Sequence, residues 1–222
     1  MNNLAFRQEI ISTGKKMYEH NLIAASDGNI SVRLDDERIL ATPSGLCKGD
    51  MSLDDPVIID IQGNHLEGKG RSSSEILMHL EVYRQRRDAQ AVVHAHPPNC
   101  IALMLAGKGL DRPILAENVL LLGKIPVASY ARPSTPQVPE SIRPYIAQTD
   151  CILLDHHGSL TVGKTLKEAY FKLEMMEHSA KSYVAALQIG QVRELPPAEV
   201  EKLTKMRREI YNITWPFIPF KY

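Results

Sequence analysis

The chain of 222 residues is short of cysteine, has no surplus of either charge and contains no long apolar run. Its three cysteines, Cys47, Cys100 and Cys151, lie far apart and form no CxxC pair. An odd, scattered set does not make a disulfide framework and fits free thiols in a reducing compartment. Lys and Arg together number 26, as do Asp and Glu, so the formal net charge is zero. That balance argues against a nucleic-acid binder, which normally carries a basic surplus. No apolar stretch approaches the roughly 18 residues that a membrane helix needs. The opening residues, MNNLAFRQEI, lack a basic segment followed by an apolar core, which argues against a secretory signal and for a cytoplasmic location. There is no internal repeat, low-complexity tract or glycine-rich dinucleotide fingerprint.

What is present is ordinary for a globular chain: 44% hydrophobic and 23% charged residues, which excludes disordered and fibrous classes. The length suits one domain over 1–222. Apolar residues at helical spacing predict helices over 4–20 (with Asn21 ending the first), 75–86, 98–106, 165–188 and 198–210. Ser72, Ser73 and Ser74 are cap-type residues before the second of these, Glu75 suits its first turn, and Thr165 can cap the long helix. Strands are expected near 30–34, 38–42, 57–61, 91–96 and 151–154, with one or two more around Gly123 within 113–130. Elements of both kinds alternate along the chain. This predicts an α/β domain of three layers, with a central, mainly antiparallel sheet flanked by helices.

Two histidines stand out within AVVHAHPPNC at 91–100. If Ala91 to His96 is a strand, His94 and His96 point to one face and can grip one cation. A catalytic zinc site takes three protein ligands and keeps one position open. The third candidate is His156 or His157, at the end of another strand and just before Gly158. Glu75 and His79 form an i,i+4 pair that can also ligate, although such pairs are more often surface contacts. Three turns rich in hydroxyl and glycine residues, SDGN at 26–29, TPSG at 42–45 and SSS at 72–74, offer backbone N–H groups and hydroxyls to an anion. Each is an ordinary turn unless the fold brings them together.

Taken in order, GNISVR (28–33), TPSG (42–45), SSE (73–75), VVHAHPPNC (92–100), PVASYARPST (126–135), LDHHG (154–158) and EMMEHSA (174–180) make a specific pattern. The chain resembles the class II, zinc-dependent aldolases of the fuculose-1-phosphate aldolase and ribulose-5-phosphate 4-epimerase superfamily. The resemblance covers about residues 4–215. It implies that His94, His96 and His157 bind Zn²⁺ and that Glu75 is the acid/base. It implies a phosphate cradle of Ser26, Gly28 and Asn29, of Thr42, Ser44 and Gly45, and of Ser73 and Ser74. It also implies a C4 homotetramer with active sites at subunit interfaces, where Tyr211 reaches the neighbour's site. The expected activity is reversible cleavage of a ketose 1-phosphate, either L-fuculose 1-phosphate or a 5-deoxy or 5-methylthio pentulose 1-phosphate. The products would be dihydroxyacetone phosphate and a small aldehyde. The stretch HAHPPNC, in place of an HTHS pattern, favours aldolase over 4-epimerase. The full histidine set argues against a non-catalytic interaction domain of the adducin-head type, and dehydratase and decarboxylase relatives use a similar metal triad.

Overall fold

A computed structural model describes residues 3–220. In chain order the strands are β1 (Asn29–Arg33), β2 (Arg38–Ala41), β3 (Val57–Asp60), β4 (His65–Glu67), β5 (Ala91–Ala95), β6 (Val127–Ala128), β7 (Cys151–Leu154) and β8 (Gly158–Gly163). The helices are α1 (Asn3–Glu19), α2 (Ile76–Gln85), α3 (Pro98–Leu105), α4 (Gln137–Ile142), α5 (Leu166–Ile189) and α6 (Pro197–Glu209). The strands form one sheet in the order β4-β3-β2-β1-β5-β8-β7-β6. Every pairing is antiparallel except that of β6 with β7. The expected mainly antiparallel α/β architecture is therefore the observed one.

Period-two alternation decides which residues meet which helices. Ile39, Ile59, Val92, Leu160 and Val162 pack on one face with Met78, Leu80 and Tyr83 of α2 and Val138 and Ile142 of α4. Leu40, Ile58, Ala91, Val93 and Ala95 pack on the other with Ile10 and Met17 of α1 and Leu166, Ala169 and Leu173 of α5. A third cluster joins Cys100, Leu103 and Met104 of α3 to Cys151, Leu153 and the far half of α5. The helix ends follow local chemistry. Asn21 takes a left-handed conformation (φ 57°) just past α1, and the Thr165 side chain accepts the Glu168 N–H at the start of α5.

Residues 113–130 depart from the expected strands. Asn118–Leu122 forms a π-helical turn that ends at Gly123, and only Val127–Ala128 joins the sheet. Distant partners explain this: Ser179 donates to the Asn118 side chain at 2.5 Å, and Arg207 donates to the carbonyls of Leu120 and Leu121. Strand β8 was not foreseen, because GSLTVG reads as small and polar. Its Ser159 and Thr161 are fully buried, and Thr161 satisfies its hydroxyl by donating to the Ala169 carbonyl at 2.9 Å. Glu75 also differs from expectation. It stands just before the first helical residue of α2 and caps nothing with its side chain.

Gly158 sets the spacing between β5 and β8. A Cβ at this position would lie 2.3 Å from the Ala95 carbonyl oxygen and 2.8 Å from the His96 ring. The first obstacle is backbone and cannot turn aside. Gly158→Ala is expected to destabilise the protein by about 3 kcal/mol, the upper end of ordinary overpacking. Urea unfolding midpoints compared at constant m-value check this, and an unchanged midpoint would contradict it.

Candidate active site

His94 lies on the face of β5 that Val92 shares with α2, and the neighbouring strands β1 and β8 leave it fully buried. Its Nδ1 is 2.9 Å from the Ser159 carbonyl oxygen. Since the carbonyl can only accept, Nδ1 carries the proton and Nε2 presents a lone pair. His96 follows the strand, where Pro97 and Pro98 turn the chain into α3. Its Nδ1 is 3.2 Å from Asp27 Oδ2, which fixes the same tautomer. His157 occupies the tight turn between β7 and β8. The three ring centroids are 4.8 to 5.1 Å apart.

Glu75 reaches this group from the start of α2. Its Oε2 is 3.1 Å from His94 Nε2 and its Oε1 is 3.0 Å from His157 Nε2. Ligand atoms of Glu75, His94, His96 and His157 all lie within 4.8 Å of one another. Nε2 of His94 and Nε2 of His96 are 3.0 Å apart. With both Nδ1 atoms protonated, that contact opposes two lone pairs, which a cation between them relieves. Glu75 Oε1 is buried and, despite its closeness to His157, has no well-angled donor. Imidazole and carboxylate donors in this number suit a divalent metal ion, so the residues fit a metal site.

The electrostatics agree. Burial works against ionising Glu75, but the facing imidazoles of His157 and His94, when their Nε2 atoms carry protons, outweigh it and hold the carboxyl far below its usual range. Burial, with help from His94 and His157, pulls His96 down to about 4. Neutral imidazole is the form that ligates metal.

Two sequence candidates stand apart from this cluster. His156, at φ 53°, has a side chain 60% exposed and stands by Asp155 and Tyr130, so it is His157 that joins the group. His79 does not pair with Glu75. Its Nδ1 lies 2.7 Å from Ser31 Oγ, its Nε2 is buried without a partner, and burial first and then His94 lower its pKa to about 3.

A cavity of about 380 Å³ opens beside the cluster. The three separate turns converge on it: Ser26, Gly28 and Asn29 from the first, Ser44 and Gly45 from the second, and Ser73 and Ser74 from the third, with Glu75, His96 and His157 at its edge. Thr42 is the exception. It is fully buried behind the cavity, and its hydroxyl accepts the Ile30 N–H at 3.1 Å, so it supports the turn instead of lining the space. Four lining residues were missed by sequence reasoning: Asp27, Lys48, Pro133 and Ser134. Ser134 donates to Ser74 Oγ at 2.9 Å. Asp27 sat within a turn already singled out, whereas nothing local marks Lys48. Tyr211 is 54% exposed just past α6 and does not line this cavity in its own chain.

Residues 8–184 match the family described as Class II Aldolase and Adducin N-terminal domain. The chain belongs to the class II aldolase family. It is 32% identical to the 3-oxo-tetronate 4-phosphate decarboxylase of Haemophilus influenzae, over 91% of this chain and 98% of that protein. It is also 32% identical to the 5-deoxy-D-ribulose 1-phosphate aldolase of Bacillus thuringiensis serovar kurstaki, over 90% and 93%. The fold superposes on a solved L-fuculose 1-phosphate aldolase with a TM-score of 0.83, at 31% identity, covering 92% of this chain and 96% of that one. The protein is thus an enzyme of the class II aldolase and lyase type. Among the described residues, no helix is long and apolar enough to cross a membrane.

Removing metal exposes a pH dependence. His79 and His96 have folded pKa values below the 6.5 of a free imidazole, about 3 and about 4. Below pH 6.5 the unfolded chain takes up protons that the folded chain refuses. Stability therefore falls as pH drops through that window, by up to about 1.4 kcal/mol per pH unit for each histidine. Urea unfolding of chelator-treated protein from about pH 7 to about pH 5 reads the slope. His79→Gln is expected to flatten it, and an unchanged slope would assign the protons elsewhere.

Proposed function

We propose that this enzyme uses Zn²⁺ in the reversible aldol cleavage of a ketose 1-phosphate to dihydroxyacetone phosphate and a small aldehyde. The observation that carries the reading is the meeting of Glu75, His94, His96 and His157 at the edge of a cavity lined by three hydroxyl- and glycine-rich turns. In this reading His94, His96 and His157 hold the ion. When bound, it supplies Lewis-acid stabilisation of the substrate oxyanion. Three neutral imidazoles leave its charge undiminished, where three carboxylates would offset it. The Ser159 carbonyl and Asp27 keep the Nε2 atoms of His94 and His96 turned inward.

The turns bind the phosphate through hydroxyls and backbone N–H groups, which fixes the reacting carbons beside Glu75. Glu75 returns a proton to the carbon left behind by cleavage, or removes that proton in the synthetic direction. At rest its carboxylate sits between His94 and His157, in the place that substrate oxygens would take. A four-fold assembly would carry Tyr211 into a neighbouring copy's site, where its hydroxyl handles the proton of the cleaved alcohol.

The likeness to a 3-oxo acid decarboxylase favours one further reading. Loss of CO₂ from a 3-oxo acid and retro-aldol cleavage both leave a carbanion next to a carbonyl. Both need oxyanion stabilisation and a proton returned to carbon. They differ in that cleavage of an alcohol needs a base for its hydroxyl proton, and decarboxylation does not.

A substrate panel separates the readings. L-fuculose 1-phosphate and 5-deoxy pentulose 1-phosphates are tested beside 3-oxo-tetronate 4-phosphate, with pentulose 5-phosphates as controls. Dihydroxyacetone phosphate formed from a ketose 1-phosphate, without CO₂, is the expected result. CO₂ release from the 3-oxo acid alone supports the decarboxylase, and turnover of neither class removes both. Within the aldolase reading, Glu75→Gln is expected to keep metal and phosphate binding. It is expected to slow exchange of the dihydroxyacetone phosphate α-proton with solvent by about 10²- to 10⁴-fold. Wild-type exchange in that variant would point to another base.

A further inference from the structure

Lys48 has no role in the scheme so far, yet it is built into the cavity wall. It opens a 3₁₀ turn, Lys48–Asp50, and is only 2% exposed. Taking an ammonium out of water is costly unless an anion accompanies it. Lys48 Nζ donates to two neutral groups, the carbonyls of Ser26 at 2.6 Å and Leu46 at 2.9 Å. Among the described residues no carboxylate is in ion-pair contact with it. An ammonium has three donors, so one N–H remains after the two carbonyls are served.

The charges around the cavity give that donor a task. Lys48 is the one lysine or arginine among the lining residues, whereas Asp27 and Glu75 both bring carboxylates. A phosphate monoester carries close to two negative charges at neutral pH. Without a cation at its own end of the cavity it would face those carboxylates uncompensated. The backbone at this position is also closely packed. A Cβ on Gly14 of α1 would fall 2.7 Å from the Lys48 carbonyl oxygen and 3.1 Å from its Cβ, so the helix backbone lies directly against the turn. Such pre-organisation lets a charge bind an anion without first being ordered.

We propose that Lys48 is a substrate-binding residue that supplies the fixed positive charge for the phosphate group. Two of its N–H groups stay on the Ser26 and Leu46 carbonyls and the third points to a phosphate oxygen. This rests on the phosphate-cavity reading of the proposed function. The same contact ties the Ser26 turn to the Leu46 turn, so phosphate recognition and the spacing of two cradle turns share one side chain. A lysine that only clamped the turns would affect folding stability and leave phosphate affinity alone.

The test uses the full chain loaded with metal, with inorganic phosphate as the probe. Calorimetric titration is run at several ionic strengths on the wild type and on Lys48→Gln, which keeps an amide donor for the carbonyls and removes the charge. The variant is expected to hold the same metal content. Its phosphate binding is expected to be about ten- to a hundredfold weaker and less sensitive to salt. Wild-type affinity in Lys48→Gln overturns the assignment of Lys48 while leaving the cavity reading intact. A wild type that binds no phosphate overturns the cavity reading and this inference with it. Should the variant fail to fold, a wild-type crystal grown with phosphate decides. Nζ about 3 Å from a phosphate oxygen is expected, and a phosphate seated in the cavity with Nζ beyond about 4 Å of it overturns the proposal.

Discussion

Three imidazole rings with centroids 4.8 to 5.1 Å apart converge on one point, where a positive charge can be shared among them. The fold holds this convergence in place by packing. Backbone pairing of β5 with both β1 and β8 holds His94, the Ser159 carbonyl fixes its tautomer, and the missing Cβ of Gly158 lets the strands close. Cores of aliphatic side chains on both faces of the sheet supply the favourable energy. At the site, repulsion among the ring nitrogens is set against the attraction of Glu75 for His94 and His157, and the surrounding structure fixes the geometry of both.

Much of this was legible in the residues, and the limits have physical causes. The alternation in AVVHA placed His94 on one face because strand periodicity is a local property. Periodicity alone left His156 and His157 open, and the resemblance chose His157. The structural reason for that choice is a left-handed residue at 156 and the way the turn docks against β5. Residues 113–130 failed because their conformation is set by Ser179 and Arg207, more than sixty residues away in the chain. Strand β8 was hidden by hydroxyl residues whose polar atoms are satisfied inside the core. Thr42 belongs to a turn that does line the cavity, but its own side chain is committed to the backbone of β1. A motif locates a turn; it does not say which of the turn's side chains look inward.

The arrangement also explains why names for different reactions surround this family. The cavity and the histidine cluster share Glu75, His96 and His157, and neither specifies a departing group. In the proposed reading, what they provide is a means of tolerating negative charge on carbon and oxygen. Aldehyde and carbon dioxide are alternative leaving partners from the same kind of carbanion.

Ser73, Ser74 and Glu75 are consecutive, with Ser73 and Ser74 lining the cavity and the carboxylate of Glu75 turned to the histidines. Consecutive residues advance by at most about 3.6 Å each, so the Cα atoms at the two ends of this tripeptide are roughly 7 Å apart at most. The segment therefore couples two neighbouring regions. The hydroxyls that line the cavity and the carboxylate that faces the histidines are carried by one short stretch of backbone, so a shift at one end is passed to the other.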